Sequence, residues 1–116
     1  MQEQIYEALR SGAHDQALAL ARDAVAADPQ GARPQLWLAM ASRAAGLDDD
    51  AMAAIDRAIA RAPDDADLHF HRAGLLLGRS DVDGAQSALS ASVTLDPNLF
   101  GAYILPIGDR RARLVG

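Results

Sequence analysis

The chain has 116 residues, half of them apolar, and 16 acidic side chains against 11 basic ones give a net charge of −5. Length and apolar content suffice for a single domain with a core, while the acidic balance argues against a nucleic-acid partner, whose phosphates call for positive charge. Cysteine is absent, which removes disulfides, thiolate metal sites and cysteine nucleophiles together.

No apolar run approaches the roughly 18 residues of a membrane span. The opening Met1-Gln2-Glu3-Gln4 lacks the basic region and apolar core of a signal peptide. A cytoplasmic protein with no membrane association is therefore expected. Every basic side chain is arginine and alanine is abundant. We read both as the codon bias of a GC-rich bacterial genome.

Punctuation and apolar periodicity predict six helices. The first runs from about Gln2 to Ser11 and turns at Gly12. The second runs from about His14 to Ala27 and stops before Pro29. The third begins near Ala32, tolerates Pro34 in its first turn, and ends at Gly46. The fourth covers about Asp49 to Arg61 and ends before Pro63. The fifth follows Asp64-Asp65 and reaches about Arg79. The sixth, opened by Asp81 or Asp83, runs to Leu95 and stops before Asp96-Pro97. No segment alternates apolar and polar residues as a strand would. The expected fold is all-α.

These elements repeat in step. Pro29, Pro63 and Pro97 stand 34 residues apart, as do Ala17, Ala51 and Ala85. The same period links Ala24, Ala58 and Ser92, and also Gly12, Gly46 and Ser80. A fixed period of this length marks stacked helical hairpins, none of which buries its apolar face alone. Ala17, Ala51 and Ala85 are expected where paired helices cross closely, and Val25, Ile59 and Val93 in the gaps between hairpins. Gly12 and Gly46 suit left-handed turns; Ser80 would be strained there, so Gly78 is expected to take the role and alter the third turn. Asp48-Asp49-Asp50 and Asp64-Asp65 fall at helix starts, where capping is expected.

The pattern resembles the tetratricopeptide repeat. Trp37-Leu38-Ala39 with Gly46, Ala51, Ala58 and Pro63 carry the resemblance, as do Gly12, Ala17, Ala24 and Pro29. Arg72-Ala73 with Ala85, Leu89 and Asp96-Pro97 match less fully, and the likeness spans about residues 2–97. It implies a right-handed superhelical solenoid of antiparallel helix hairpins, with three repeats at about 1–31, 32–65 and 66–99. Ala8, Ala21 and Ser42 stand where the family often has a larger aromatic, which predicts thin packing. Arg72 stands where leucine is usual and buried. Residues 98–116 read as an opening fourth helix, Leu99-Phe100-Gly101-Ala102-Tyr103-Ile104-Leu105, that Pro106 and Gly108 interrupt. They are expected either to cap the solenoid or to begin a repeat continued in a longer chain. If the apolar residues there fail to cover the sixth helix, self-association through this end is expected.

By the same resemblance, first helices line a concave groove that binds peptides or helices of other proteins. The candidate groove residues are Gln2, Tyr6 and Leu9, then Arg33, Leu36, Trp37, Met40 and Arg43, then Asp67, Phe70, His71 and Gly74. Aromatics, methionine and arginine make good interface anchors. Trp37, Phe70, Leu36 and Leu77 fit core positions equally well. Family members that clamp a terminal carboxylate use lysines and asparagines. Gln2, Tyr6, Trp37, Asp67 and His71 at the matching places cannot make that clamp.

Catalytic chemistry is not expected. His69 and His71 are two apart and so on different helix faces, and His14 is remote, which leaves no metal site. Without strands there is no phosphate loop, and no serine has a visible histidine–acid pair. No cofactor is expected. The function expected is a protein-interaction adaptor or scaffold; the alternatives are a regulatory or substrate-presenting domain of a larger enzyme, and a self-associating structural module.

Overall fold

The computed structural model describes residues 2–98. These form α1 (Gln2–Arg10), α2 (His14–Ala27), α3 (Ala32–Ala44), α4 (Asp48–Arg61), α5 (Ala66–Gly78) and α6 (Val82–Leu95). No strand occurs among the described residues. Residues 99–116, with the expected cap, lie outside the described residues.

Each proline of the triplet stops a helix through the residue before it. A proline ring clashes with an α-conformation at the preceding residue, which is pushed toward extended backbone. Asp28, Ala62 and Asp96 accordingly have φ of −142°, −142° and −150°. Their N–H groups still donate to Ala24, Ala58 and Ser92, closing the last turn of α2, α4 and α6.

The turns inside the hairpins repeat as faithfully. Ala13 N–H donates to the Ala8 carbonyl and Gly12 N–H to that of Leu9. Leu47 to Ser42 with Gly46 to Arg43, and Asp81 to Leu76 with Ser80 to Leu77, copy the same pair of bonds. This is the Schellman arrangement, whose penultimate residue needs a left-handed backbone. Gly12 and Gly46 supply it at φ +79° and +81°. In the third turn Ser80 supplies it at φ +63°, and Gly78 is the last residue of α5. The expected shift of the turn to Gly78 is thus corrected. Two bonds to fixed carbonyls hold the chain path there, so the side chain accepts the strain.

The residue that closes each such turn also starts the next helix. Ala13 and Leu47 do so with no side-chain cap, whereas the Asp81 carboxylate accepts from Gly84 N–H at 2.9 Å. Asp65 likewise caps α5 by accepting from Asp67 N–H at 3.1 Å. Asp48, Asp49 and Asp50 lie inside the first turn of α4 and not at its cap, a correction to the capping expected of them. There they favour the helix dipole.

The described chain divides into two units between Pro63 and Asp64. In the first, α1 pairs with α2 and α3 with α4, and α3 also packs on α1 and α2. Ile5, Ala8, Ala17, Leu18, Ala21 and Ala41 form one buried cluster, on which Leu9, Trp37 and Leu38 pack. Buried Gln35 accepts from Arg57 Nε at 3.0 Å, tying α3 to α4. In the second unit α5 pairs with α6. Ser92 takes the phase of Ala24 and Ala58 and is fully buried, its hydroxyl donating to the Ala66 carbonyl at 3.0 Å. Placing a serine there costs little because its hydroxyl is satisfied.

Ala17, Ala51 and Ala85 are buried, as close helix crossing requires. The larger residues that carry the interior are Ile5, Leu36, Ile55 and Leu68. Val25, Ile59 and Val93, expected to fill gaps, are only half-buried. Ala8, Ala21 and Ser42 are themselves buried.

Candidate functional site

α3 brings most of the candidate residues together. Pro34 sits in its first turn, where a missing N–H goes unnoticed. Beyond it, the spacing of Arg33, Trp37 and Met40 follows one helix face, with Arg43 on its flank. Trp37 and Met40 are half-buried, while Arg33 and Arg43 are exposed. The helical rise sets the two arginine backbones about 15 Å apart with the apolar pair between them. The stripe thus has an apolar centre and cationic ends.

Trp37 is anchored from below. Its ring packs on the buried cluster of α1, α2 and α3 together with Leu9 and Leu38. Its Nε1 is buried and has no hydrogen-bond partner among the described residues. Trp37 therefore belongs in part to the core, one of the two alternatives open from sequence. Leu36 resolves fully to the core: with no exposure at all, it is not a groove residue. Leu77 is 53% exposed, which overturns its reading as core.

Tyr6 is half-buried and opens onto a different surface. It lines a hollow of about 570 Å³ with Glu3, Gln4, Glu7, Arg10 and Gln16, all from α1 and α2. Arg10 pairs with Glu7 there, so the guanidinium is already occupied. Gln2 is exposed and Leu9 half-buried on the same helix.

Phe70 and His71 belong to the second unit and form a group of their own. Their rings meet edge to face at 6.1 Å and 84°, a favourable aromatic arrangement. His71 Nε2 lies 3.5 Å from an Asp67 carboxylate oxygen one turn earlier on α5. Arg72 is half-buried, in place of the buried leucine usual at its position.

Two surfaces escaped the sequence reading. One is a hollow of about 170 Å³ among α2, α3 and α4, lined by Arg22, Leu38, Ser42, Asp50, Ala53 and Arg57. Serine at position 42, where the same phase has Leu76, was the available signal. The other lies along α6, where Leu89 and Val93 with Gln86, Ser90 and Thr94 line an open hollow of about 520 Å³. Among the described residues, no group of three or more histidine, aspartate or glutamate side chains is placed to hold a metal ion. No described helix is long and apolar enough to cross a membrane.

Helical hairpins repeated every 34 residues, joined by identical turns and closed before a proline, define a helical-repeat protein. A Tetratricopeptide repeat model matches residues 8–73 and a second matches residues 49–99. The chain belongs to the tetratricopeptide repeat family.

Among solved structures it is similar to MamA, from residue 41 to the end, of Desulfovibrio magneticus RS-1. There the identity is 20% and the TM-score 0.75, over 84% of this chain and 55% of that one. It is similar to the type III secretion chaperone SycD of Yersinia enterocolitica in complex with a peptide of the translocator YopD. That likeness has 20% identity and a TM-score of 0.75, over 94% and 82% of the two chains. PcrH in complex with the chaperone binding region of PopD gives 22% identity and a TM-score of 0.73, over 95% and 92%. At these identities the likeness establishes the fold. The chain spans about half the length of the MamA structures it matches. A comparison with curated protein sequences gave no match.

Proposed function

We propose that this chain is a non-catalytic protein-interaction module whose first helices take up a peptide or amphipathic helix of another protein. The observation that carries the reading is the α3 stripe, with half-buried Trp37 and Met40 between exposed Arg33 and Arg43. An aromatic and a methionine give an adaptable apolar contact at low entropic cost. The arginines at its ends select a segment with acids on either side of its apolar residues. Tyr6 on α1, and separately Phe70 and His71 on α5 of the second unit, are proposed as contact groups of their own. SycD, whose structure holds a peptide of the translocator YopD, and PcrH, whose structure holds the chaperone binding region of PopD, support a ligand of this kind.

The second reading we propose is a domain that presents or regulates a larger assembly; the MamA chain it resembles is matched over 55% of its length. In that reading the same face engages the remainder of the assembly.

The test pairs capture with a local optical probe. The native chain and Arg43→Glu are used to retain partners from a bacterial lysate, and a peptide from any retained protein is then titrated. Trp37 is the only tryptophan, so its emission reports the α3 face directly. Saturable change with the native chain, and binding at least about tenfold weaker with unchanged helicity in Arg43→Glu, is the expected result. Equal retention by both forms, or a peptide that binds without altering Trp37 emission, would refute the site.

A further inference from the structure

The hollow among α2, α3 and α4 lies wholly within the first unit, on the side of α3 away from the stripe of Arg33, Trp37 and Met40. Ser42 and Leu38, one turn apart on α3, are its most buried lining, while Arg22, Asp50, Ala53 and Arg57 are exposed. The repeat does not call for these residues. In the other repeats the phase of Ser42 holds Ala8 and Leu76, and that of Arg57 holds Asp23 and Ala91. The phase of Arg22 holds Asp56 and Ser90, and that of Asp50 holds Gln16 and Gly84. A leucine at position 42 would fill much of the space that serine leaves. Gln35, 4% exposed, accepts from Arg57 Nε at 3.0 Å. That bond fixes the guanidinium plane and leaves both terminal nitrogens for a ligand.

We propose that this hollow binds a singly charged carboxylate. Guanidinium groups from two helices line one small space with a single acid, so one positive charge stands unbalanced. No ion pair engages Arg22, Asp50 or Arg57 among the described residues. Two like charges facing one space are relieved by an anion between them. The planar fork of arginine matches the paired oxygens of a carboxylate, and Ser42 adds a hydroxyl to the lining. Asp50 sets the class of anion. A monoanion balances the lining charge, whereas the second charge of a phosphate meets repulsion from the Asp50 carboxylate. The volume of about 170 Å³ suits a small acid or the end of an acidic side chain, since a cavity of ~150 Å³ holds one small organic molecule.

NMR titration of the full chain at constant ionic strength tests this, read at the Ser42 amide and at the Arg22 and Arg57 Nε–H groups. The probes are acetate, glutamate blocked at both backbone ends, and inorganic phosphate. Acetate stands for a free small acid and blocked glutamate for the side chain of a protein partner, so the tighter of the two names the source. The expected result is saturable binding of a carboxylate, at least about tenfold weaker in Arg22→Gln and in Ser42→Leu. Ser42→Leu places the leucine of the third repeat in the hollow, and unchanged helicity checks that both variants fold. Phosphate should bind the native chain more weakly than the carboxylates, and Asp50→Asn should tighten phosphate binding at least about tenfold. Shifts that do not saturate, or that persist unchanged in Arg22→Gln and Ser42→Leu, overturn the proposal. So does phosphate that binds the native chain as tightly as the carboxylates do.

Discussion

Ser80→Gly is expected to stabilise the protein, although glycine usually weakens a fold. Ser80 holds φ at +63° inside a turn whose two backbone bonds, from Ser80 N–H to Leu77 and Asp81 N–H to Leu76, both measure 2.9 Å. A left-handed backbone costs a residue with a Cβ about 1–2 kcal/mol. Glycine escapes that cost but brings a more disordered unfolded chain, worth about 0.5–1 kcal/mol the other way. The balance favours the variant by about 0.5–1 kcal/mol, or a rise in Tm of ~2–8 °C for a domain of this size.

Two companion variants make the reasoning specific. Gly46→Ser introduces at φ +81° the strain that Ser80 bears and should destabilise by about the same amount. Gly78→Ala meets open space at the end of α5, where φ is not positive, and should gain about 0.5–1 kcal/mol. Urea unfolding followed by helicity, with the slope checked for constancy, gives all three values. A loss of stability in Ser80→Gly together with a loss in Gly78→Ala would refute the argument, because it would return the left-handed residue to Gly78. The third hairpin bears this strain beside a gain the others lack, the Asp81 cap on α6. Such a cap contributes about 1 kcal/mol, enough to offset the serine.

Ala51→Leu should destabilise by about 1–3 kcal/mol, since Ala51 has no exposure and an added isobutyl group has nowhere to go; an unchanged melting temperature would show that α4 does not approach its neighbour closely there. Ser92→Ala restores the alanine found at this phase in the other two repeats, yet should lose about 0.5–1.5 kcal/mol with the bond to Ala66. A more stable Ser92→Ala, measured by urea unfolding, would mean that the buried hydroxyl costs more to desolvate than its bond returns.

Helix ends were legible because the residues that make them act locally. A proline restricts the residue before it whatever the surroundings, so Asp28, Ala62 and Asp96 share one backbone shape. The third turn misled for a related reason. Glycine relaxes a left-handed residue but does not choose its place; the bonds to Leu76 and Leu77 do, and they follow the length of α5. Of the candidate site, the positions on α3 were legible from helical spacing. How Trp37 divides between core and surface was not, because that depends on Leu9 and Leu38 packed beside it.

By itself the sequence determined the all-α class, the 34-residue period and the six helices of the described residues, since hydrophobic spacing, prolines and glycines act over a few residues. Tertiary structure alone decided which equivalent side chains are buried. Leu9 and Leu77 share a phase, yet Leu9 packs on the first-unit cluster and Leu77 stands 53% exposed. Leu36 and Trp37 are neighbours in sequence, and only the first is wholly interior. Burial is set by what lies opposite in space, and a repeating sequence presents the same residue to different neighbours.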